Sequence, residues 1–255
     1  MGLLQINGIK INVEVIGKGL PVMLIHGIGG NMTQWKPTAD RLSKDFKVIM
    51  MDCRGHGKSE KPKQYSLSDH ASDIIGIMDH FEIESTYLNG ISMGSYIAQA
   101  VAIQAPERIS KLILTVPKSN GLTSSLHRLI TEHSAELAGL DQHSVVLALL
   151  KYLTYDPKFM EQHLDIFDTD LNGPQFEAAN RAVMGFDFRN DLAKVMAKTL
   201  VITGKYDQLN PTNEGEICAS LIRDARLMEM QYSGHAPNYE EADAYLKIIR
   251  DFFNS

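Results

Sequence analysis

A serine framed by two glycines is the first group in the sequence whose type and spacing suit covalent chemistry. Residues 90–94 read Gly-Ile-Ser-Met-Gly, follow the strand-like run 86–88 and precede the helix-like run 96–101. The pattern G-x-S-x-G between a strand and a helix holds the serine backbone in a strained turn, where side chains two residues to either side would collide. We therefore predict Ser92 as a nucleophile. The alternative is an ordinary Gly-Ser turn that joins a strand to a helix.

A serine hydroxyl is a poor nucleophile at neutral pH, so Ser92 needs a base and the base needs a group to orient it. Of the nine histidines, His235 lies in a loop between the last predicted strand and the final predicted helix, 245–253. Asp207 follows the predicted strand 200–203. All three residues come after carboxyl ends of strands, where an open α/β sheet binds its ligands. We predict His235 as the base and Asp207 as the group that orients it, although each alone could be an ordinary loop residue.

A glycine-rich loop at residues 26–30, His-Gly-Ile-Gly-Gly, follows the predicted strand 22–25. Its glycines allow backbone N–H groups to approach an oxygen that becomes negatively charged during a reaction. We predict the amides of Ile28 and Met93 as the two donors of such an oxyanion hole. A dinucleotide-binding loop is disfavoured because its third glycine would fall on Met32, and the sequence has no P-loop ending.

Two residues near this loop, His26 and Trp35, are candidates for the wall of a substrate pocket. Trp35 is the only tryptophan, and since pockets and cores are both apolar, a place in the core is its alternative. The alternative for His26 is a structural hydrogen bond that supports the loop.

Short apolar runs predict the strands that must position these residues. Residues 3–6 and 9–16 alternate in polarity around Asn7-Gly8, a strong hairpin signal because both residues tolerate positive φ. The later runs are mostly apolar throughout, as in strands covered on both faces of a parallel sheet. These runs are 22–25, 48–51, 86–88, 112–116, 200–203 and 227–230. Together they predict an α/β fold, with a mostly parallel twisted sheet, an N-terminal antiparallel hairpin and helices on both faces.

Helix-length stretches such as 67–81 and 92–104 separate the strands, but this alternation lapses between residues 116 and 200. No convincing strand falls there, whereas several helical patterns do. These patterns lie around 126–137, 144–153, 157–167 and 175–184. We therefore predict an α/β core made of residues 1–117 and 191–255, with a helical cap or lid inserted at 118–190. The apolar side chains of these helices either pack internally or line an acyl pocket, and we expect most of them to pack internally because an amphipathic helix buries one face.

Composition and charge exclude several classes of partner. The 255 residues carry a net charge of −6 with no block of like charge, so neither nucleic acid nor an anionic membrane is an expected partner. The apolar runs are shorter than the ~18 residues of a transmembrane helix, and the first residues lack a signal-peptide pattern. Two cysteines, Cys53 and Cys218, cannot form a disulfide framework. We expect a cytoplasmic protein, and the sequence predicts no particular oligomeric state.

No cluster of metal-ligating residues stands out in the sequence. The run 168–173, Asp-Thr-Asp-Leu-Asn-Gly, begins like an EF-hand calcium loop, but the bidentate glutamate of such a loop would fall on Ala179. Acidic residues before a helix that starts near Pro174 explain the run more simply. We therefore predict neither a metal nor a cofactor.

Taken together, these segments resemble the α/β-hydrolase superfamily. The resemblance rests on residues 90–94, His26-Gly27, 52–59, Asp207 and Gly234-His235, and it spans nearly the whole chain except the helical insertion. The chain order of serine, aspartate and histidine is also that of the superfamily. The resemblance implies the α/β-hydrolase fold and a catalytic triad formed by the three residues predicted above.

Within the superfamily, the sequence is similar to the serine-nucleophile esterase and 3-oxoadipate enol-lactonase-like branch. The similarity lies in residues 29–31, Trp35, 54–57 and 105–108. Branches with an aspartate nucleophile, the haloalkane dehalogenases and epoxide hydrolases, are disfavoured because Ser92 occupies that position. Carbon–carbon bond hydrolases of the meta-cleavage type typically carry tryptophan after the catalytic histidine, where this chain has Ala236.

The resemblance and the predicted triad together predict a serine hydrolase that cleaves a carboxylic ester, thioester or lactone through an acyl-enzyme. Its substrate would be a small molecule, and serine, histidine and water can carry every step. The alternative is a receptor or signalling protein of the same fold, which keeps the triad but binds a small ligand with slow or incidental hydrolysis.

Overall fold

A sheet of eight strands forms the centre of the computed structural model, which describes residues 2–162 and 171–255. The strands are β1 (Leu3–Ile6), β2 (Ile9–Ile16), β3 (Pro21–Ile25), β4 (Lys47–Met51), β5 (Thr86–Ile91), β6 (Ile109–Thr115), β7 (Lys198–Gly204) and β8 (Ala225–Met230). Their order across the sheet is β1-β2-β4-β3-β5-β6-β7-β8. The pairs β1–β2 and β2–β4 are antiparallel, and the other neighbours run parallel. The predicted mostly parallel sheet is confirmed.

The antiparallel start of the sheet depends on the turn between β1 and β2. Asn7 and Gly8 have φ angles of 48° and 81°, the left-handed values that a two-residue type I′ turn requires. Ile6 and Ile9 are partners across the turn, and both are buried. The predicted hairpin is therefore present, and it brings β2 alongside β4.

Helices flank the sheet. They are α1 (Lys36–Leu42), α2 (Leu67–His80), α3 (Met93–Gln104), α4 (Ser125–Glu132), α5 (Ser134–Leu137), α6 (Gln142–Leu153), α7 (Pro157–Glu161), α8 (Gly173–Ala182), α9 (Thr212–Leu221), α10 (Pro237–Glu240) and α11 (Ala242–Asn254). The pattern at 126–137 forms two helices rather than one, because the chain leaves helical geometry at His133 (φ −110°, ψ 19°). The rest of the pattern at 157–167, and the acidic residues 168–170, lie outside the described residues.

The period of two along each strand divides the core between the two faces of the sheet. In β3, Met23 and Ile25 pack in the cluster that includes apolar residues of α2, α3 and α9. The alternate residues Val22 and Leu24 pack in the cluster that includes α1 and α11. All four side chains are fully buried. Continuous apolar sequence therefore follows from burial on both faces, as expected for parallel strands.

The segment between β6 and β7 closes on itself at its base. The Gly121 amide donates to the Phe186 carbonyl, and the Gly185 amide donates back to the Gly121 carbonyl, each over 2.8 Å. Nearby, the Phe188 amide donates to the Ser119 carbonyl over 2.9 Å. Both ends of the segment thus leave the sheet together. The extent of the insertion, 118–190, and its action as a lid remain predictions.

Among the described residues, no helix combines the length and the apolar character needed to cross a bilayer.

Candidate active site

Ser92 lies in the turn between β5 and α3, at the carboxyl end of a central strand. Its backbone has φ 52° and ψ −120°, a strained conformation for a residue with a side chain, which costs about 1–3 kcal/mol. The glycines on either side are required by space. A Cβ atom on Gly90 would overlap the Gly94 carbonyl, and one on Gly94 would overlap the Ile25 carbonyl. The Ser92 amide donates to the Thr115 carbonyl of β6 over 3.0 Å, which anchors the turn to the sheet.

Ser92, His235 and Asp207 form one continuous chain of hydrogen bonds. The distance from Ser92 Oγ to His235 Nε2 is 2.9 Å, and that from His235 Nδ1 to Asp207 Oδ2 is 2.7 Å. A carboxylate can only accept, so Nδ1 carries the proton and Nε2 is left to accept from the serine hydroxyl. The structure thus brings together three residues that the sequence separates by up to 143 positions.

The Asp207 side chain is fully buried and is held by the loop that follows β7. Its Oδ1 accepts hydrogen bonds from the amides of Leu209 (2.9 Å) and Asn210 (3.0 Å). These two bonds occupy one carboxylate oxygen and leave Oδ2 directed at the imidazole. The orientation of His235 is therefore set by backbone amides that act through a carboxylate.

Close backbone contact brings the loops after β7 and β8 together. A Cβ atom on Gly204 would overlap the Gly234 carbonyl, and one on Gly234 would overlap the Leu153 carbonyl. Glu240 also fixes the histidine loop, because its Oε1 accepts from the Gly234 amide over 2.8 Å. Burial raises the pKa of Glu240, and its backbone donors oppose that shift. Sequence reasoning missed the contact between these two glycines and the role of this glutamate, although a glycine lies close before each predicted triad residue.

The loop after β3 is shaped as a turn that leaves an amide available. The Gly30 amide donates to the Gly27 carbonyl over 3.2 Å, and Gly29 has φ 74°, as at the third position of a type II turn. Ile28 is the second residue of this turn, and its N–H takes no part in the turn's own hydrogen bond. Met93 is the first residue of α3, where an amide has no partner within the helix. Ile28 and Met93 both line a cavity together with Ser92.

Comparison with known proteins supports this reading of the fold. A family model described as alpha/beta hydrolase fold matches residues 21–140. The 2-hydroxymuconate semialdehyde hydrolase of Pseudomonas sp. (strain CF600) is 30% identical over 273 residues, which cover 96% of this chain and 90% of that protein. The chain belongs to the α/β-hydrolase family.

Solved structures place this α/β-hydrolase near lactonases and esterases. The enol-lactonase from Burkholderia xenovorans LB400 has a TM-score of 0.86 at 25% identity, covering 99% of this chain and all of that one. The esterase EaEST from Exiguobacterium antarcticum has a TM-score of 0.86 at 27% identity, with both chains fully covered. The resemblance to the enol-lactonase-like branch is confirmed. The sequence disfavoured the carbon–carbon hydrolases because of Ala236. A meta-cleavage product hydrolase from Pseudomonas fluorescens IP01 is nevertheless similar in structure, with a TM-score of 0.80 at 26% identity, covering 100% of this chain and 97% of that one.

Two predicted pocket residues lie elsewhere in this α/β-hydrolase. Trp35 is 0% exposed and packs in the core cluster of α1 and α11, with its ring 6.4 Å from that of Tyr245. His26 is also 0% exposed; its Nδ1 donates to the Gly27 carbonyl over 2.7 Å, and its Nε2 accepts from the Cys53 amide over 2.9 Å. Neither residue lines the cavities beside Ser92. The pocket assignment of both was wrong, and the stated alternatives hold: Trp35 packs in the core, and the hydrogen bonds of His26 tie the loop after β3 to the segment after β4.

Two cavities open on Ser92, and Ile28 and Leu209 line both. We call the first the Lys118 cavity; among the residues that line it are Met93, Tyr96, Lys118, Asn120, Leu126 and Asn180. We call the second the His235 cavity; among the residues that line it are Gln34, Leu153, His235, Asn238 and Tyr239. The serine hydroxyl thus stands between two spaces, of which only the second contains the imidazole.

The wall of the Lys118 cavity is built by the turn that follows β6. Val116 has φ 46°, a rare value for a β-branched residue, and its amide donates to the Ile202 carbonyl over 2.7 Å. Asn210 Nδ2 donates to the Val116 carbonyl and to the Tyr96 hydroxyl, each over 2.8 Å. These bonds redirect the chain so that Lys118 lines the cavity. Sequence reasoning missed Lys118 and Asn210, although the rule that ligands bind beyond strand ends points to both.

Within residues 2–162 and 171–255, no three histidine, cysteine, aspartate or glutamate side chains cluster as metal ligands. The first three residues of the calcium-like run, 168–170, lie outside that range. Cys53 and Cys218 are both buried and unpaired by disulfide bonds.

Proposed function

We propose that this α/β-hydrolase is a serine hydrolase that cleaves a carboxylic ester, thioester or lactone of a small molecule through an acyl-enzyme. The observation that carries the proposal is the unbroken path of two hydrogen bonds, 2.9 and 2.7 Å, from Ser92 through His235 to Asp207. Such a path transfers a proton from the serine without a metal or a redox group.

The first half of the reaction makes the acyl-enzyme. Ser92 Oγ attacks the carbonyl carbon while His235 Nε2 takes its proton, and Asp207 stabilises the imidazolium that forms. The carbonyl oxygen, now negatively charged, accepts hydrogen bonds from the Ile28 and Met93 amides. In serine hydrolases the loss of one such donor costs about 3 kcal/mol of transition-state stabilisation.

The intermediate then collapses to complete the acyl-enzyme. The bond between the carbonyl carbon and the leaving group breaks, and His235 gives its proton to the departing alcohol or enol oxygen or thiol sulfur, so the leaving group must lie next to Nε2 and in the His235 cavity. For a lactone, the freed hydroxyl or enol stays attached to the acyl chain. In the second half of the reaction a water molecule attacks the acyl carbon while His235 removes its proton, and the bond between that carbon and Ser92 Oγ breaks. Ser92 is released with its proton restored.

Two alternative functions compete with this proposal. A relative bears the name 2-hydroxymuconate semialdehyde hydrolase, so cleavage of that carbon–carbon substrate is the rival reaction. A receptor of the same fold is the rival outside enzyme chemistry. It would bind a small ligand with slow turnover, because a receptor can retain the same three side chains.

The experiment compares Ser92→Ala with the wild type on a panel of p-nitrophenyl esters, a thioester, a lactone and 2-hydroxymuconate semialdehyde. We expect multiple turnover on the esters or lactone, and a loss of kcat of at least about 1,000-fold in Ser92→Ala. Ser72→Ala, which removes an exposed serine of α2, is the matched control.

Ester turnover that survives in Ser92→Ala would contradict the proposal. Turnover of the semialdehyde alone would assign the site to carbon–carbon cleavage. Thermal stabilisation by a panel compound with no turnover of any would favour the receptor.

A further inference from the structure

Lys118 is a buried cation beside the reacting serine that the proposed mechanism does not use. It is 6% exposed and lines the Lys118 cavity together with Ser92. Its Nζ donates to the Thr123 carbonyl over 3.1 Å. A lysine ammonium has three donors, so this single bond leaves capacity for another acceptor.

A second buried cation, Arg54, forms a structural ion pair with a buried carboxylate. Arg54 is 8% exposed, and two of its nitrogens donate to the two carboxylate oxygens of Asp73, each over 2.7 Å. Within residues 2–162 and 171–255, no carboxylate lies within 4 Å of Lys118 Nζ. Charged groups that are buried are usually paired. Lys118 therefore differs from Arg54 in having no close counterion in the described part of the chain.

The lining of the cavity complements an anion. Among the described lining residues there is no aspartate or glutamate, whereas Asn120, Asn180 and Ser124 contribute amide and hydroxyl groups. Burial lowers the pKa of Lys118, Glu214 raises it and Arg128 lowers it. Glu214 is not among the described residues that line the cavity, and it lies beyond ion-pair distance of Lys118. A bound carboxylate would supply the missing close counterion.

The direction of the proton transfer decides which part of the substrate reaches Lys118. The leaving group must lie next to His235 Nε2, and His235 lines the other cavity. With the carbonyl oxygen at the Ile28 and Met93 amides, the remaining substituent on the carbonyl carbon is the acyl chain. That chain extends into the Lys118 cavity.

We propose that the site selects acyl groups that end in a second carboxylate, with Lys118 as the residue that recognises it. This inference rests on the proposed function and names the substrate class of the same site. The substrate is a half-ester, half-thioester or lactone derivative of a dicarboxylic acid. Hydrolysis consumes one water; an ester or thioester releases the dicarboxylate and the alcohol or thiol, whereas a lactone gives the ring-opened dicarboxylate as a single product.

The test measures selectivity between matched pairs of substrates. The p-nitrophenyl half-esters of succinate, glutarate and adipate are compared with the neutral butanoate, pentanoate and hexanoate esters. A charge-assisted hydrogen bond predicts that the wild type prefers the best half-ester over its neutral partner in kcat/KM by roughly 10- to 100-fold. The homologous series identifies the chain length that spans from Ser92 to Lys118.

Lys118→Met keeps the length of the side chain and removes its charge. We expect the ratio of kcat/KM between half-ester and neutral ester to fall by at least about tenfold in Lys118→Met, and Lys118→Arg to retain part of the preference. Lys18→Met removes an exposed lysine ahead of β3, at the opposite edge of the sheet, and should keep the wild-type ratio.

A binding measurement separates this inference from the proposed function. In Ser92→Ala, millimolar glutarate or adipate should raise the melting temperature, and Lys118→Met should abolish that shift. A wild type without preference for half-esters, or equal losses on charged and neutral esters in Lys118→Met, would overturn the inference while Ser92-dependent hydrolysis stands. Hydrolysis independent of Ser92 would overturn the proposed function instead, and the melting-temperature shift would still decide the role of Lys118.

Discussion

Two groups of histidines in this protein show how position determines the chemistry of one residue type. His235 lies at the carboxyl edge of the sheet, and its two nitrogens contact the side chains of Ser92 and Asp207. His26, His56 and His70 form a buried group beneath the same edge, with ring centroids 5.2 Å apart for the first pair and 6.4 Å for the second. His26, His56 and His70 are more deeply buried than His235, but they have no role in the proposed reaction.

The partners of the rings explain the difference. Both nitrogens of His26 contact backbone groups, the Gly27 carbonyl and the Cys53 amide, which cannot exchange a proton with it. Burial lowers the pKa of His56 to about 3, with the neighbouring His26 adding to the effect, and burial also takes the pKa of His70 well below its ordinary value. A buried ring without a carboxylate stays neutral and serves packing. A ring between a hydroxyl and a carboxylate can carry a proton in transit.

The largest effect that would sharpen this contrast is expected from Asp207→Asn. The backbone amides of Leu209 and Asn210 hold one side-chain oxygen, so the new amide group would face His235 Nδ1 and donate to it. The imidazole would then carry its proton on Nε2, where it cannot accept from Ser92. We expect kcat to fall roughly 10³- to 10⁴-fold, measured with the best ester of the panel.

The double variant Ser92→Ala/Asp207→Asn provides the control, since residues that act as one unit are strongly non-additive. It should be hardly slower than Ser92→Ala alone. If the losses of kcat in the two single variants instead multiplied in the double variant, Asp207 would act independently of Ser92. The proposed difference between His235 and the buried histidines would then be contradicted.

The loop after β3 joins the buried histidine group, through His26, to the proposed active site, through the Ile28 amide. Removing that amide should lower kcat, but by less than Asp207→Asn. Ile28→Pro removes the N–H at the second position of a type II turn, where proline is well tolerated. Loss of this oxyanion donor should lower kcat by roughly 10²- to 10³-fold. Ile28→Ala keeps the N–H and removes only the side chain, so it should lose far less. Equal kcat in the two variants would show that the amide takes no part in the reaction.

The smallest effect is expected for the buried histidine His56, and it is a change in the free energy of unfolding with pH. Because the pKa of His56 is about 3 in the folded protein and near 6.5 in the unfolded chain, the unfolded chain binds more protons between these values. The free energy of unfolding should therefore fall as the pH drops below about 6.5, by roughly 1.4 kcal/mol per pH unit for this group. Urea unfolding at pH 7, 6 and 5 measures the slope.

His56→Asn should flatten that dependence by about the same 1.4 kcal/mol per unit, because asparagine does not titrate. The asparagine amide can still donate to the Arg54 carbonyl, as His56 Nδ1 does over 3.0 Å. Ester turnover at pH 7 should remain that of the wild type. An unchanged pH slope in this variant would mean that other groups dominate acid sensitivity, and the proposed contrast would lose its energetic part.

Local signals explain which parts of the fold could be predicted. The Asn7-Gly8 turn needs only two residues that accept positive φ, and the apolar runs need only burial on both faces, so both features can be predicted from short stretches. The order of Ser92, Asp207 and His235 along the chain could also be recognised, because each follows a predicted strand. The burial of Trp35 and His26 could not be predicted locally, so the sequence left a pocket position and a structural position open for each of them.

The residues around Ser92 depended on contacts between distant segments. The Gly204 and Gly234 backbones touch because the loops after β7 and β8 lie side by side, a pairing that neither loop encodes alone. Lys118 reaches its cavity through the positive φ of Val116, which Asn210 supports from 94 residues away. Neither the contact between Gly204 and Gly234 nor the hydrogen bond between Asn210 and Val116 can be predicted from a short stretch of sequence.

The amino-acid sequence by itself determined the order of elements, the strained serine turn and the three chemical groups of the proposed relay, because each follows from propensities and spacing within a few residues. Tertiary structure alone decided the distances of 2.9 and 2.7 Å that join those groups, the burial of Trp35 and His26, and the division of space into the Lys118 cavity and the His235 cavity. The physical reason is that a hydrogen bond, a counterion and a cavity are each defined by atoms of several segments, and only the packing of the whole sheet fixes where those segments meet.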